Sequence, residues 1–360
     1  MITIQQVYEL AVQMGMARDP RGHKRVASAL ARKRKGYEEL TAAERALFDP
    51  EELTNPYADT RLFTSEPTRP VRRIMVGIDI TAAEVLLASQ LGERGKPIDL
   101  VLSHHPVGHA LANLSDVMHM QAEILSDYGV PINVAESMLV KRMDEVLRRL
   151  SPANHYQPVD AAQLLGMSLM CAHTATDNLV MTFMREHFAK RAKQIEQVGD
   201  VLKELDQFSE YIEAKRRKQG PVLFTGSKER FAGKIAFTEF TGGTSGAMEI
   251  YEKLSQAGVG TIVAMHMTEE RKDEADKHHI TVIVGGHMPS DSIGMNLFVD
   301  ELERRGVDII PVGGFIRVSR LRSNHVARRG STSLTTGRSK HTARVRKTSQ
   351  VKKSQRRRRT

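Results

Sequence analysis

The sequence predicts an α/β fold in which two halves, each a repeat of strand and helix, build a largely parallel sheet architecture. Two observations indicate this fold class. From residue 71 short apolar runs typical of buried strands alternate with helical segments, and after a polar interruption the alternation resumes near residue 231. We therefore predict a helical N-terminal extension at 1–70, α/β halves at 71–180 and 231–319, a helical insert at 181–230, and a disordered basic tail at 320–360.

The composition favours a globular protein of the cytoplasm. Of 360 residues, 40% are hydrophobic and 27% are charged, and no apolar run is long enough to cross a membrane. The first residues, MITIQQVYEL, lack the basic and apolar regions of a signal peptide. The single cysteine excludes an intrachain disulfide, which fits a reducing compartment. We expect a cytoplasmic protein without a membrane partner.

The net charge of +10 originates in the C-terminal tail. Residues 320–360 contain 15 Lys and Arg and no Asp or Glu, so residues 1–319 hold 38 basic and 43 acidic side chains. The tail lacks the apolar residues of a core, which predicts disorder. Two roles stay open for it: binding RNA, DNA or another polyanion through phosphate contacts, or simply improving solubility.

The N-terminal extension has the pattern of helices separated by turns. Apolar spacing in IQQVYELAVQMGM predicts one helix, and Thr41 with Glu44 forms a capping box that opens a second, LTAAERALF. The basic stretch RGHKRVASALARKRKG is typical of a solvated helix face. We assign this extension no chemistry.

The first half alternates strand and helix. The run VRRIMVGIDI predicts a strand, Thr81 and Glu84 cap the next helix, and LVLSHHP predicts a strand that the chain leaves at Pro106. A helix near 115–128, a short strand near Pro131, a further helix and the strand LMCAH follow. Such alternation is typical of a parallel sheet covered on both faces.

The insert and the second half differ in polarity. Sparse apolar residues and charges of both signs predict an exposed helix or helical hairpin for the insert. The second half contains the strands KIAFTEF, TIVAMH, TVIVGGH and VDIIPV. Its glycine turn TGGTSG lacks the Lys-Ser/Thr of a phosphate-binding loop and the spacing of a dinucleotide fingerprint, which favours close strand-to-helix packing over nucleotide binding.

Histidines and an aspartate stand at the carboxyl ends of predicted strands, where open α/β sheets bind ligands. These residues are Asp79, His104, His105, His173, His266 and His287. With carboxylates nearby they could hold one or two divalent ions, and the scarcity of cysteine excludes a Cys-rich structural zinc site. Mixed nitrogen and oxygen ligands suit zinc, iron or manganese. Two such ions can activate a bridging water, which makes hydrolysis the natural reaction class.

Four segments, GIDIT, LVLSHHP, AHTATD and the block from FTGGTSGA to IVGGHMPSD, resemble the Ngg-interacting-factor-like (Nif3-like) family. This family consists of dinuclear-metal-centre hexamers also catalogued as homologues of GTP cyclohydrolase I type 2. The resemblance covers about residues 71–180 and 231–316. It implies a Nif3-like fold, a homohexamer and two divalent metal ions per subunit. The implied ligands are His104, His105, Asp177, His287 and Asp291.

Two departures from the family pattern concern the site. Asp291 replaces the usual, longer Glu, and the segment 264–270 reads AMHMTEE where relatives carry Gly and an acidic residue. His173 either binds metal or orients Asp177, whereas Asp79 is expected to support a ligand or to start a helix rather than to bind metal itself. Whether His266 joins the site is open.

The resemblance implies a metal-dependent hydrolase with cyclohydrolase or phosphoester chemistry on a small-molecule substrate. The alternative is a non-enzymatic metal-ion chaperone or regulatory scaffold, since the sequence identifies no general acid or nucleophile beyond the ligands.

Overall fold

A computed structural model describes residues 1–321 of this chain. The rest of the predicted basic tail, and with it the prediction of disorder, lies outside the described residues. The described strands are β1 Thr60–Phe63, β2 Arg73–Gly77, β3 Leu100–Ser103, β4 Leu169–Ala172, β5 Val222–Thr225, β6 Lys234–Ala236, β7 Val259–Ala264, β8 Thr281–Val284 and β9 Asp308–Val312.

The described helices surround these strands. They are α1 Ile4–Ala17, α2 His23–Glu39, α3 Ala42–Leu47, α4 Ala82–Glu93, α5 Gly108–Ala112, α6 Met120–Asp127, α7 Ile132–Leu150, α8 Gln157–Leu164, α9 Thr174–Arg191, α10 Val198–Leu205, α11 Ser209–Arg216, α12 Ile250–Gln256, α13 Glu269–Lys277 and α14 His287–Arg304. Short 3-10 helices occupy Pro50–Leu53, Asp116–His119 and Ala192–Gln194. No helix in residues 1–321 is long and apolar enough to cross a membrane.

The first sheet has the strand order β1-β4-β3-β2-β9. Its strands are parallel except for β1, which pairs antiparallel with β4 at the edge. Every residue of β3 and β4 is buried, which explains why both strands are continuous apolar runs in the sequence. Because β9 belongs to the second half yet pairs with β2 of the first, the two halves share this sheet.

The second sheet has the order β5-β8-β7-β6, with β5 antiparallel to β8 and the remaining pairs parallel. The strand β5 lies within the segment predicted as an insert. The same segment contains the end of α9 and the helices α10 and α11, whose residues Val201, Leu205 and Tyr211 are fully buried. The prediction of an exposed hairpin is therefore wrong: apolar residues at sparse helical spacing pack one face of α10 and α11 into the core.

Two long helices connect the sheets at the point where the candidate ligands lie. α9 and α14 cross closely because Gly294 faces the backbone of Thr176, and a Cβ atom at Gly294 would lie 2.4 Å from the Thr176 carbonyl oxygen. On the other side of α9, a Cβ atom at Gly15 of α1 would lie 2.7 Å from the Ala175 Cα atom. Glycine at both positions therefore allows the first turns of α9 to lie close to α14 on one side and to α1 on the other.

Local signals give mixed results. Both predicted capping boxes are confirmed, with Thr41 and Glu44 at α3 and Thr81 and Glu84 at α4. The short strand predicted near Pro131 is wrong, because Pro131 is the N-cap of the 19-residue helix α7. Proline suits a helix start because that position needs no N–H donor.

The body of the protein extends into the first residue of the predicted tail. The Arg320 guanidinium lies 2.7 Å from the buried carboxylate of Glu210, and its backbone N–H donates to Asp300 at 2.9 Å. Charge composition assigned Arg320 to the tail, but these contacts hold it against α11 and α14.

Candidate metal centre

The candidate centre lies where strands of both sheets end. His104 and His105 follow β3, Asp177 lies in the first turn of α9 after β4, and His287 and Asp291 lie in the first turns of α14 after β8. The backbone N–H groups of His104 and His105 donate to carbonyl oxygens that end β2, each at 2.9 Å. This pairing holds the backbone of both histidines beside the end of β2.

The structure brings together all five residues that the resemblance implied. In one triad the Nε2 atom of His104 lies 3.5 Å from Asp177 Oδ1 and 3.6 Å from Asp291 Oδ1. In the other, the Nε2 atoms of His105 and His287 lie 3.2 Å apart, and each is 3.5 Å from Asp291 Oδ2. Asp291 thus contributes one oxygen to each triad.

These spacings fit the ligands of a small divalent ion. In a tetrahedral site with bonds of 2.0–2.2 Å, neighbouring ligand atoms are about 3.3–3.6 Å apart. The hydrogen bonds of these residues also indicate an ion site. His104 Nε2, Asp177 Oδ1 and both oxygens of Asp291 are buried and have no hydrogen-bond partner within residues 1–321. Buried polar atoms of this kind are rare unless a ligand or water satisfies them.

The tautomers of the first two histidines leave lone pairs directed into the site. The Thr176 hydroxyl donates to the Ala172 carbonyl at 2.5 Å, so it accepts from His104 Nδ1–H at 3.0 Å. His105 Nδ1–H donates to the Asp79 carboxylate at 2.7 Å. Both Nε2 atoms therefore carry lone pairs directed into the site, an arrangement that a bound cation would stabilise.

Burial is the main cause of the pKa shifts of the candidate ligands. Burial, followed by the neighbouring Asp177 carboxylate, raises the pKa of Asp291 well above its usual range, and burial raises the pKa of Asp177 to about 7. Burial lowers the pKa of His104 strongly and that of His287 to about 3. Neutral imidazoles are the form that binds metal, and a cation between them would restore the ionised carboxylates.

His173 forms a third group of potential ligand atoms with His104 and His105, and it is held by a partner that sequence reasoning missed. Its Nδ1 atom lies 2.8 Å from Oδ2 of Asp59, and its Nε2 atom lies 3.7 Å from Oδ2 of Asp177. Asp59 is fully buried and also accepts from the Thr174 hydroxyl at 2.6 Å. Burial alone would lower the pKa of His173, but Asp177 and Asp59 raise it to about 9.

Asp59 corrects the prediction that the N-terminal extension carries no chemistry. It precedes β1, and the register of Thr60 opposite Ala172 places it beside His173. The sequence contains no signal for this neighbour, because antiparallel pairing between distant strands leaves no local pattern.

Two further residues have supporting positions. The Asp79 carboxylate contacts Nδ1 of His105. Within residues 1–321, Asp79 belongs to none of the three-residue groups whose atoms could hold a metal ion. Both observations agree with the prediction that Asp79 supports a ligand. The centroid of the His266 ring lies 4.7 Å from that of His287, with the two ring planes tilted by 57°. His266 also lies outside those groups.

A cleft opens beside the centre. Its lining residues come from the candidate ligands, from the chain after β7 and from the glycine turn; they are His173, Asp177, Glu239, Thr241, Gly243, Thr244, Ser245, Met265, His266, His287 and Asp291. Sequence reasoning did not single out Glu239, which has no motif around it.

Comparison with known proteins places the fold. No protein-family model and no curated protein matches the sequence. A NIF3 superfamily protein from Sphaerobacter thermophilus matches with a TM-score of 0.67 and 24% identity, over 87% of this chain and 98% of that chain. Reduced HcgD from Methanocaldococcus jannaschii matches with a TM-score of 0.44 and 14% identity, over 76% of this chain and 97% of that chain. The predicted resemblance is thus confirmed in three dimensions: this chain has the fold of a NIF3 superfamily protein.

Proposed function

We propose that this protein binds two divalent metal ions per chain and acts as a metal-dependent hydrolase. The observation that supports this most strongly is Asp291, a fully buried carboxylate whose two unpartnered oxygens face two separate groups of potential ligands. His104 and Asp177 would hold one ion and His105 and His287 the other, with Asp291 shared.

Bound in this way, a pair of divalent ions supplies a water of near-neutral pKa and a Lewis acid for the substrate. The protein supplies orientation and exclusion of bulk water. Thr176 and Asp79 fix the rings of His104 and His105, and the burial of Asp177 and Asp291 keeps the inner wall dry. His287, with 38% of its side chain exposed, lies on the open side, where a small molecule can enter.

The resemblance supports this reaction class, and the cleft gives the ligands an open side. A hydrolase of cyclohydrolase or phosphoester type needs the ions, a water and space for a small substrate on one side. Zinc, iron and manganese all accept mixed imidazole and carboxylate ligands, so their identity is a matter for elemental analysis.

A second candidate is a metal-ion chaperone or regulatory scaffold. The burial of three of the five proposed ligands favours it, because side chains at 1–4% exposure suit retention of an ion as well as catalysis. By the same resemblance we propose a homohexamer of the cytoplasm, which native mass spectrometry at micromolar concentration would test.

The first experiment is elemental analysis of protein purified without a polyhistidine tag. We expect about two divalent ions per chain in the wild type and the loss of most of this metal in the His104→Ala/His105→Ala double variant. His119→Ala, an exposed histidine on a 3-10 helix away from the triads, is the control and should keep the full complement. A metal-free wild type, or a double variant with unchanged metal, would contradict the proposal.

A substrate screen then separates the two candidate functions. Metal-loaded protein is tested against GTP, other nucleotides and phosphoesters, with the double variant as the blank. Turnover that disappears in the double variant supports the hydrolase. Metal binding without turnover of any of these substrates favours the chaperone or scaffold.

A further inference from the structure

The glycine turn TGGTSG, residues 241–246, forms one wall of the cleft beside the candidate metal centre. Thr241, Gly243 and Ser245 line this cleft together with Asp177 and Asp291. The turn therefore borders the same space as the unpartnered carboxylates. Its position raises the question of what its backbone can bind.

Three carbonyl groups of the turn accept hydrogen bonds from side chains of α6 and α7. The side-chain amide of Gln121 donates to the carbonyl oxygens of Gly242 and Thr244, both at 2.6 Å, and Arg142 Nε donates to that of Ser245 at 2.9 Å. Gln121 is itself buried, with 5% exposure. Both anchors thus fix the turn from its α6 and α7 side.

This anchoring determines where the N–H groups point. The described chain has no cis peptide bond, and in a trans peptide the N–H of the next residue points opposite to the carbonyl. The N–H groups of Gly243, Ser245 and Gly246 therefore point away from Gln121 and Arg142. None of the three has an acceptor within the part of the chain that the structure describes.

Successive glycines give the turn its concave form. Gly242 and Gly243 have φ values of +90° and +86°, in the left-handed region, and a Cβ atom at Gly243 would lie 2.9 Å from Val117 Cγ2. Glycine at these two positions lets the backbone N–H groups of the turn remain outside any helix or strand, where a bound anion can accept from them. The turn shares its cleft with a proposed cation site, so one ligand could contact both.

We propose that residues 241–246 are a phosphate subsite, and that the substrate is a small phosphomonoester whose phosphate accepts hydrogen bonds from this turn. The proposal rests on the proposed function, since it names the substrate class of the same site. The sequence pattern alone favoured a packing role for this turn; the anchored carbonyls and free N–H groups add a binding role.

Of the three carboxylates that line the cleft, Glu239 is the one outside the proposed metal ligands, and it provides a matched variant. The Glu239 carboxylate accepts hydrogen bonds from the Ser245 hydroxyl and the Tyr251 hydroxyl, each at 3.2 Å. It is held at the rim of the cleft by both groups. Replacement by the isosteric amide removes its charge, so Glu239→Gln should strengthen phosphate binding, whereas loss of the Gln121 anchor should weaken it.

The experiment is isothermal titration of the full chain with inorganic phosphate and with methyl phosphate, both metal-free and after loading with two equivalents of zinc. Gln121→Met removes both donors with little change in volume. We expect its affinity for methyl phosphate to fall about tenfold in both metal states, because the unanchored turn no longer holds its N–H donors in place for the anion. Glu239→Gln should bind both ligands several-fold more tightly.

Each result bears on the proposal. Equal affinities for wild type and Gln121→Met would overturn the subsite while leaving the metal site standing, and so would binding of inorganic phosphate without methyl phosphate. If zinc fails to bind the wild type, the proposed function fails, and the metal-free titration still tests the turn. If Gln121→Met is unfolded by circular dichroism, Glu239→Gln decides: affinity that is unchanged or weaker overturns the proposal.

Discussion

Replacement of Asp291 by asparagine should make the metal-free protein more stable and the metal-loaded protein less so. Asp291 is 1% exposed, and neither of its oxygens has a hydrogen-bond partner in residues 1–321. Burial raises its pKa, so its contribution to stability is fully present below the unfolded pKa and is lost as the pH rises through the folded pKa. At pH 8 the carboxylate therefore destabilises the metal-free fold, and the neutral amide relieves this.

The expected gain is the cost of one unsatisfied buried group, about 1–3 kcal/mol in the free energy of unfolding. For a protein of this size this corresponds to a rise in melting temperature of about 2–6 °C. Added zinc should make the wild type the more stable of the two proteins. Its free energy of unfolding rises by about 2.7 kcal/mol at a free zinc concentration 100 times the Kd, whereas the variant lacks the shared ligand.

The assay is differential scanning calorimetry at pH 8 with chelator and with zinc. Asp300→Asn is the control on the same helix, because Asp300 is also buried but accepts hydrogen bonds from Arg317 and from the Arg320 N–H group. Loss of the Asp300 carboxylate should destabilise both the metal-free and the zinc-loaded protein. A metal-free Asp291→Asn variant less stable than the wild type, or one with undiminished zinc stabilisation, would refute the reasoning.

Four further predictions test other parts of the structure. Asp59→Asn should weaken metal binding about 10–100-fold in a chelator competition if its histidine partner is a ligand, and unchanged affinity would exclude that ligand. Gly294→Ala should separate α9 and α14 and lower the melting temperature and the metal content together; unchanged values of both would contradict the close crossing. Cys171, whose pKa burial raises to about 12, should resist iodoacetamide in the folded protein at pH 8, and rapid labelling would contradict its burial. Deletion of residues 322–360 should abolish retention on immobilised RNA at low salt, and retention by the truncated chain would place that binding elsewhere.

The part of the fold that sequence reasoning captured is local. Thr41 and Thr81 with their glutamates mark helix starts because a capping box needs only residues three apart. The strand ends at His104 and His173 are visible because fully buried parallel strands are continuous apolar runs. Periodicity and caps are properties of a few adjacent residues, and these predictions are confirmed.

What escaped prediction depends on distant pairing. Asp59 joins the site only because β1 pairs with β4, and β5 joins the second sheet only by pairing with β8. Pro131 shows a different limit: a proline next to an apolar segment fits both a strand edge and a helix start, and only the buried face of α7 decides. Glu239 lines the cleft without any motif to mark it.

The separation of the site residues along the chain has a consequence for biosynthesis. His105 and His287, whose ring nitrogens meet in the folded protein, are 182 residues apart in sequence. At about 5–20 residues per second a ribosome needs roughly 9–36 s to add the second after the first. During that interval the nascent chain presents adjacent imidazoles without their partners from α14. A cell that makes this protein can therefore complete the centre only once α14 has been synthesised and has folded against the first half.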